Sequence, residues 1–157
     1  MKIIITLVLL SMPIICFGQA DFIATFKSDN GGFSNNQSVT FPIESASGYQ
    51  VDFNNDGDLL DAGEATIHTT TFTHDFGVAG IHTVRIVGNL DRIFYDNSAA
   101  NDEEKILSID QWGTASVWTT MNNAFNGCIY LTIPATDAPN FSICTDLTQM
   151  FDRALVF

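Results

Sequence analysis

Basic residues are scarce. The chain carries 6 Lys and Arg against 18 Asp and Glu, a formal charge of −12. Phosphate backbones and anionic membrane surfaces are bound through basic patches, so this balance argues against nucleic acid or anionic lipid as a partner. Cations and basic protein surfaces are its natural electrostatic partners. Cysteine is also sparse, at 3 residues. One of these, Cys16, falls in the N-terminal stretch, and no disulfide framework can be built from Cys128 and Cys144 alone. Beyond the N-terminus no apolar run approaches the ~20 residues that a membrane-spanning helix needs. Catalytic signatures are lacking too. There is no G-x-S-x-G, no reactive Cys–His pattern, no glycine-rich phosphate loop and no carboxylate pair marked for acid–base work, so no catalytic residue is assigned and the chain does not read as an enzyme.

Residues 1–18 read as a secretory signal peptide: Lys2, the apolar run Ile3–Leu10, then Cys16-Phe17-Gly18 before a cleavage site at Gln19. Cleavage would leave 139 of the 157 residues, a charge of −13, and a secreted or cell-surface location. Within the domain expected at residues 19–96, residues 22–96 alternate apolar and polar side chains between turn-rich pieces, as strands do. Strands are predicted at Phe22–Lys27, Ser38–Ile43, Tyr49–Phe53, Ala65–His74, Ile81–Val87 and Arg92–Tyr95, which suggests a small β-sandwich. Residues 97–104 are polar and acidic and read as a linker, with a further strand candidate at Lys105–Ile109.

From there the pattern changes. Met121, Ala124, Phe125 and Cys128 are spaced i, i+3, i+4, i+7, and Leu147, Met150, Phe151 and Ala154 repeat that spacing 26 positions later. This predicts two amphipathic helices in tandem repeats, with Thr119 and Thr145 as N-caps and Asn126 and Asp152 facing solvent. A period in the twenties is the mark of a stacked repeat array, and such arrays are binding surfaces far more often than enzymes. In that register Cys128 and Cys144 lie too far apart for a disulfide, and both are expected as free, buried thiols.

Asp52-Phe-Asn54-Asn55-Asp56-Gly57-Asp58-Leu-Leu-Asp61-Ala-Gly63-Glu64 is the sharpest local motif. Asp52, Asn54, Asp56, Asp58, Asp61 and Glu64 could curl their oxygens around calcium. The same composition also makes a plain Asx/Gly turn, and both readings stay open. Its spacing is not that of an EF-hand, because the twelfth position is Gly63. The spacing of His68, His74 and His82 matches no metal motif, and they read as satisfied core or edge side chains. Trp112 and Trp118 could stack on a sugar, but their place within the repeats suggests core packing.

Two resemblances bear on these patterns. Trp112-Gly113, Trp118, Met121, Ala124-Phe125, Gly127-Cys128, Leu131, Ala138-Pro139, Ser142, Leu147 and Met150-Phe151 resemble the opening of the BspA-type leucine-rich repeat surface proteins of bacteria. Over residues 105–157 this implies two strand-plus-helix repeats, the start of a truncated array, and a role in surface attachment. Phe72–Gly88 is similar to the closing hairpin of a polycystic-kidney-disease-type (PKD) domain, with Gly80 at the turn and Val84 and Ile86 facing the core. YQVDFNNDG, from Tyr49, is similar to that family's aspartate-and-glycine turn. The expectation is therefore a mixed fold: a PKD-like, immunoglobulin-like β-sandwich followed by a leucine-rich-repeat solenoid. Its expected work is non-catalytic adhesion to an extracellular protein or glycan. A structural spacer and a carbohydrate-binding accessory module are the alternatives.

Overall fold

The computed structural model describes residues 20–96 and 101–156; the signal peptide expected at residues 1–18 and part of the linker lie outside them. Among the described residues there are eight strands: β1 (Phe22–Lys27), β2 (Ser38–Phe41), β3 (Ile43–Glu44), β4 (Tyr49–Asp52), β5 (Phe72–Asp75), β6 (Ile81–Gly88), β7 (Arg92–Ile93) and β8 (Ile106–Gln111). They make a four-stranded antiparallel sheet in the order β4-β6-β1-β8 and two small ladders, β2-β5 and β3-β7.

Period-two alternation drives the main sheet. Phe22, Ala24 and Phe26 of β1 point one way and are buried, as are Val84 and Ile86 of β6. The β2-β5 ladder closes over this face through Phe26 against Phe41 (ring centroids 5.2 Å apart) and Tyr49 against Phe72 (6.2 Å). Phe72–Gly88 is not a hairpin. β5 pairs with β2 while β6 pairs with β1 and β4, so the chain crosses between sheets at this corner. Ser28 pins the crossing, its backbone N–H donating to the Gly80 carbonyl at 2.9 Å and its hydroxyl accepting from the Gly80 N–H at 3.1 Å.

The expected leucine-rich-repeat solenoid is overturned: among the described residues there is no helix, and the fold is all-β. The segment from Lys105 does not begin a separate strand-helix array. Its strand, β8, is the edge strand of the main sheet, and Trp112, Trp118, Met121 and Phe125 join the same buried cluster as Phe22 and Ile109.

The two apolar stripes are instead successive tight turns. Ala124, Asn126 and Cys128 donate their N–H groups three residues back, to Met121, Asn123 and Phe125; Met150, Asp152 and Ala154 do the same to Leu147, Gln149 and Phe151. Left-handed residues break any helix: Asn123 has φ 54° and Gly127 84°, and 26 positions on Gln149 has 55° and Arg153 59°. The N–H groups between the turns point sideways. Met121, Asn123, Phe125 and Gly127 donate to the carbonyls of Asp146, Thr148, Met150 and Asp152 at 2.8–2.9 Å. The register of 26 is thus present in the backbone, as two hydrogen-bonded turn ladders lying side by side. Phe125 and Phe151 stack at 5.5 Å with planes 11° apart.

With no helices, Thr119 and Thr145 cap nothing. The Thr119 hydroxyl donates to the Asp91 carbonyl and the Thr145 N–H to the Thr119 carbonyl. Asn126, expected in solvent, is buried, because a turn ladder packs a different set of positions from a helix; its amide donates to the Asn123 side chain at 2.9 Å. Asp152 is exposed. Cys128 and Cys144 are both free thiols, and burial pushes the Cys128 thiol well above its ordinary pKa.

Candidate functional site

The acidic loop leaves β4 at Asp52 and returns at Glu64. Asp52 and Glu64 are buried; Asn54, Asp56, Asp58 and Asp61 are exposed. The Asp52 carboxylate accepts from the Asp56 N–H (3.2 Å), the Gly57 N–H (3.0 Å) and Arg85 Nε (3.0 Å). Glu64 accepts from the N–H groups of Phe53 (2.8 Å) and Asp61 (3.1 Å), closing the loop across its neck. Between them run three Asx turns: Asn54, Asp56 and Asp58 each accept the N–H two residues on. The Asn54 amide nitrogen donates to both Asp56 and Asp61.

The six positions are therefore brought together, but as a hydrogen-bonded turn whose two buried carboxylates are already supplied with donors. Among the described residues, no group of three or more His, Cys, Asp or Glu converges to hold a metal ion. These bonds hold the loop together through its own backbone amides and Arg85. Millimolar calcium is expected to leave the thermal unfolding midpoint unchanged. An upward shift that disappears in Asp56→Ala would instead establish a calcium site there.

Beside this loop each histidine lies flat on a phenylalanine. His74 stacks on Phe53 at 3.5 Å and 6°, His68 on Phe72 at 3.7 Å and 12°, and His82 on Phe76 at 3.9 Å and 10°. β5 supplies Phe72, His74 and, just past its end, Phe76, all on one face by strand parity. His82 comes from β6. The pattern Phe72-x-His74-x-Phe76 shows the shared face in the sequence, whereas the pairing with Phe53 and His82 depends on the fold.

Burial lowers the pKa of His68 and of His74; for His74 the nearby Asp75 opposes the shift, and His82 and His68 reinforce it. The folded state thus favours the neutral rings. Their contribution to stability is complete above the unfolded-chain value of about 6.5 and is lost as pH falls below it. The melting temperature should drop between pH 7.5 and 5, and His68→Gln/His74→Gln should flatten that slope. An equally steep slope in the double variant would assign it to other groups.

Trp112 and Trp118 are core residues. Trp112 lies edge-on to Phe22, Trp118, Phe125 and Phe141, and Trp118 is fully buried, so neither presents a face for a sugar.

The outer edge of the second turn ladder is different in kind. In the first ladder Met121, Asn123 and Gly127 direct their N–H groups at carbonyls of the second. The equivalent groups 26 residues on belong to Leu147, Gln149 and Arg153, and among the described residues they meet no acceptor. Ile143, Leu147, Leu155 and Val156, along the same segment, are 55, 51, 75 and 50% exposed, while Met121, the counterpart of Leu147, is wholly buried. No helix among the described residues is long and apolar enough to cross a membrane. No protein-family model, curated protein or solved structure matches the chain.

Proposed function

We propose that this chain is a non-catalytic secreted or cell-surface binding protein whose second turn ladder offers its open edge to an extracellular protein or glycan. The observation that carries this reading is that edge: a row of alternate backbone donors bordered by exposed apolar side chains. Alternate donors suit a polypeptide backbone, which can add to the edge as the second ladder adds to the first. The large apolar side chains left exposed along the same segment add surface that a partner can bury. The leader expected at residues 1–18, the resemblance of residues 105–157 to BspA-type surface proteins, and the acidic composition support work outside the cell.

The test is retention on a panel of immobilised extracellular-matrix proteins and on a glycan array. The wild-type chain should be retained, and Ile143→Asp/Leu147→Asp should be retained at least tenfold more weakly. Equal retention by the two proteins would remove the edge from the binding surface. Chemical turnover of a retained ligand would remove the non-catalytic reading.

A further inference from the structure

The second surface of interest is the cleft between the acidic loop and the β5–β6 crossing, with a volume of about 620 Å3. One wall is a continuous strip of rings. Phe53 stacks on His74, His74 meets Phe76 edge-on at 4.7 Å, and Phe76 stacks on His82. Asp61 and Asp75 also line the cleft, and both are exposed. Each spends one oxygen on a neighbour: Asp61 Oδ2 accepts from the Asn54 amide at 2.7 Å, and Asp75 Oδ1 from the Gly77 N–H at 2.8 Å. Their other oxygens meet no protein donor among the described residues. No Lys or Arg lines the cleft. The nearest cation in the sequence, Arg85, is committed to Asp52, Asp21 and the Asp58 carbonyl.

We infer that this cleft takes a guanidinium-bearing side chain from a basic segment of another protein. The inference rests on the reading of the chain as a binding protein and gives it a partner class at a second surface. A guanidinium is flat, weakly hydrated and charged, so it can lie on neutral aromatic rings while its edge donates in pairs to carboxylates. The Phe53–His74 and Phe76–His82 stacks, set at right angles to each other, provide ring surface, and Asp61 and Asp75 provide acceptors without a competing protein cation. The concave shape concentrates their field. An ammonium has the charge without the plane, and a sugar needs no charge, so both should fit less well.

The probe is N-acetyl-arginine amide, titrated into the full chain while the ring protons of His74 and His82 are followed by NMR. Saturable shifts confined to these rings and their neighbours are expected. Citrulline amide, of the same shape but neutral, should give none, and the lysine amide should bind at least threefold more weakly. Asp61→Asn/Asp75→Asn keeps both hydrogen-bond acceptors and removes both charges; it should retain the wild-type amide spectrum and bind at least tenfold more weakly. Four results would overturn the inference: shifts scattered over the acidic surface, equal shifts with citrulline amide, undiminished binding by the double variant, or saturable shifts with methyl glycosides but not with the arginine probe. The wild-type chain separates the two proposals. If it binds the matrix panel while its cleft ignores arginine, the binding-protein reading stands and the cleft assignment falls. If nothing on the panel is retained but the arginine titration behaves as expected, the reverse holds.

Discussion

Lys105→Met is expected to destabilise the fold by about 3–5 kcal/mol, a large part of the total for a domain this size. Lys105 and Asp102 form an ion pair at 3.7 Å with both side chains wholly buried. The Lys105 ammonium donates to the carbonyls of Ser34 (3.0 Å), Asn35 (2.9 Å) and Ser38 (3.0 Å) and to the Ser34 hydroxyl (2.7 Å). Asp102 accepts from the backbone N–H groups of Ser34 (2.9 Å) and Thr40 (2.6 Å) and from the Ser34 hydroxyl. Together they fasten the segment before β8 to the turn before β2. Removing the lysine leaves a buried carboxylate without its counter-charge and strands three carbonyls. A second substitution at Asp102 should not restore stability, although apolar replacement of a buried ion pair is often neutral, because the Ser34 and Thr40 amides would then lose their acceptor. Urea unfolding of Lys105→Met and of Asp102→Leu/Lys105→Met checks this. A loss under 1 kcal/mol in the single variant, or full recovery in the double, would show that the pair is not the fastening it appears in the geometry.

Phe125→Ala is expected to cost about 3–5 kcal/mol, and Phe151→Ala distinctly less. Phe125 is wholly buried between Trp112 at 6.0 Å, Tyr95 at 6.4 Å and Phe151 at 5.5 Å, where the two-layer sheet core meets the turn ladders. Its loss opens a cavity that aromatic neighbours fixed by backbone pairing cannot fill. Phe151 occupies the same place in the second ladder but is only half-buried, so truncating it removes one stacked partner and leaves little void. Equal losses at the two positions would mean that the second ladder is covered as completely as the first.

The strands were legible because period-two alternation is a direct image of a sheet with one buried face. β1 and β4 fall within one residue of their expected limits, and β6 extends only to Gly88. The strand expected over Ala65–His74 shortens to Phe72–Asp75, since residues 65–67 and 69–71 are exposed and that stretch is held by a bridge from His68 to Tyr49 and by bonds from Ser45 and the Tyr49 hydroxyl to the Thr69 and Thr70 carbonyls rather than by a ladder. The stripes at 121–128 and 147–154 misled because i, i+3, i+4, i+7 spacing marks a helical face and equally marks consecutive tight turns. What separates them is a left-handed residue at Asn123 and Gly127, and asparagine and glycine are the residues that adopt that conformation most readily. Those two positions carried the signal. Gln149 and Arg153, which take the same conformation in the second ladder, did not. The Asp102–Lys105 fastening left no local trace, for its partners lie more than 60 positions away. In the acidic loop the residues were evident, but the donors that occupy Asp52 and Glu64 are backbone amides and Arg85, which only the folded chain brings together.

Amide hydrogen exchange, resolved residue by residue, tests the open-edged ladder most directly. The N–H groups of Met121, Asn123, Phe125 and Gly127 should be strongly protected by the carbonyls of the second ladder, while those of Leu147, Gln149 and Arg153 exchange at nearly the rate of an unfolded chain. Similar protection at equivalent positions of both segments would contradict the account, because it would mean either that each segment is closed on itself as a helix or that the outer edge is already covered.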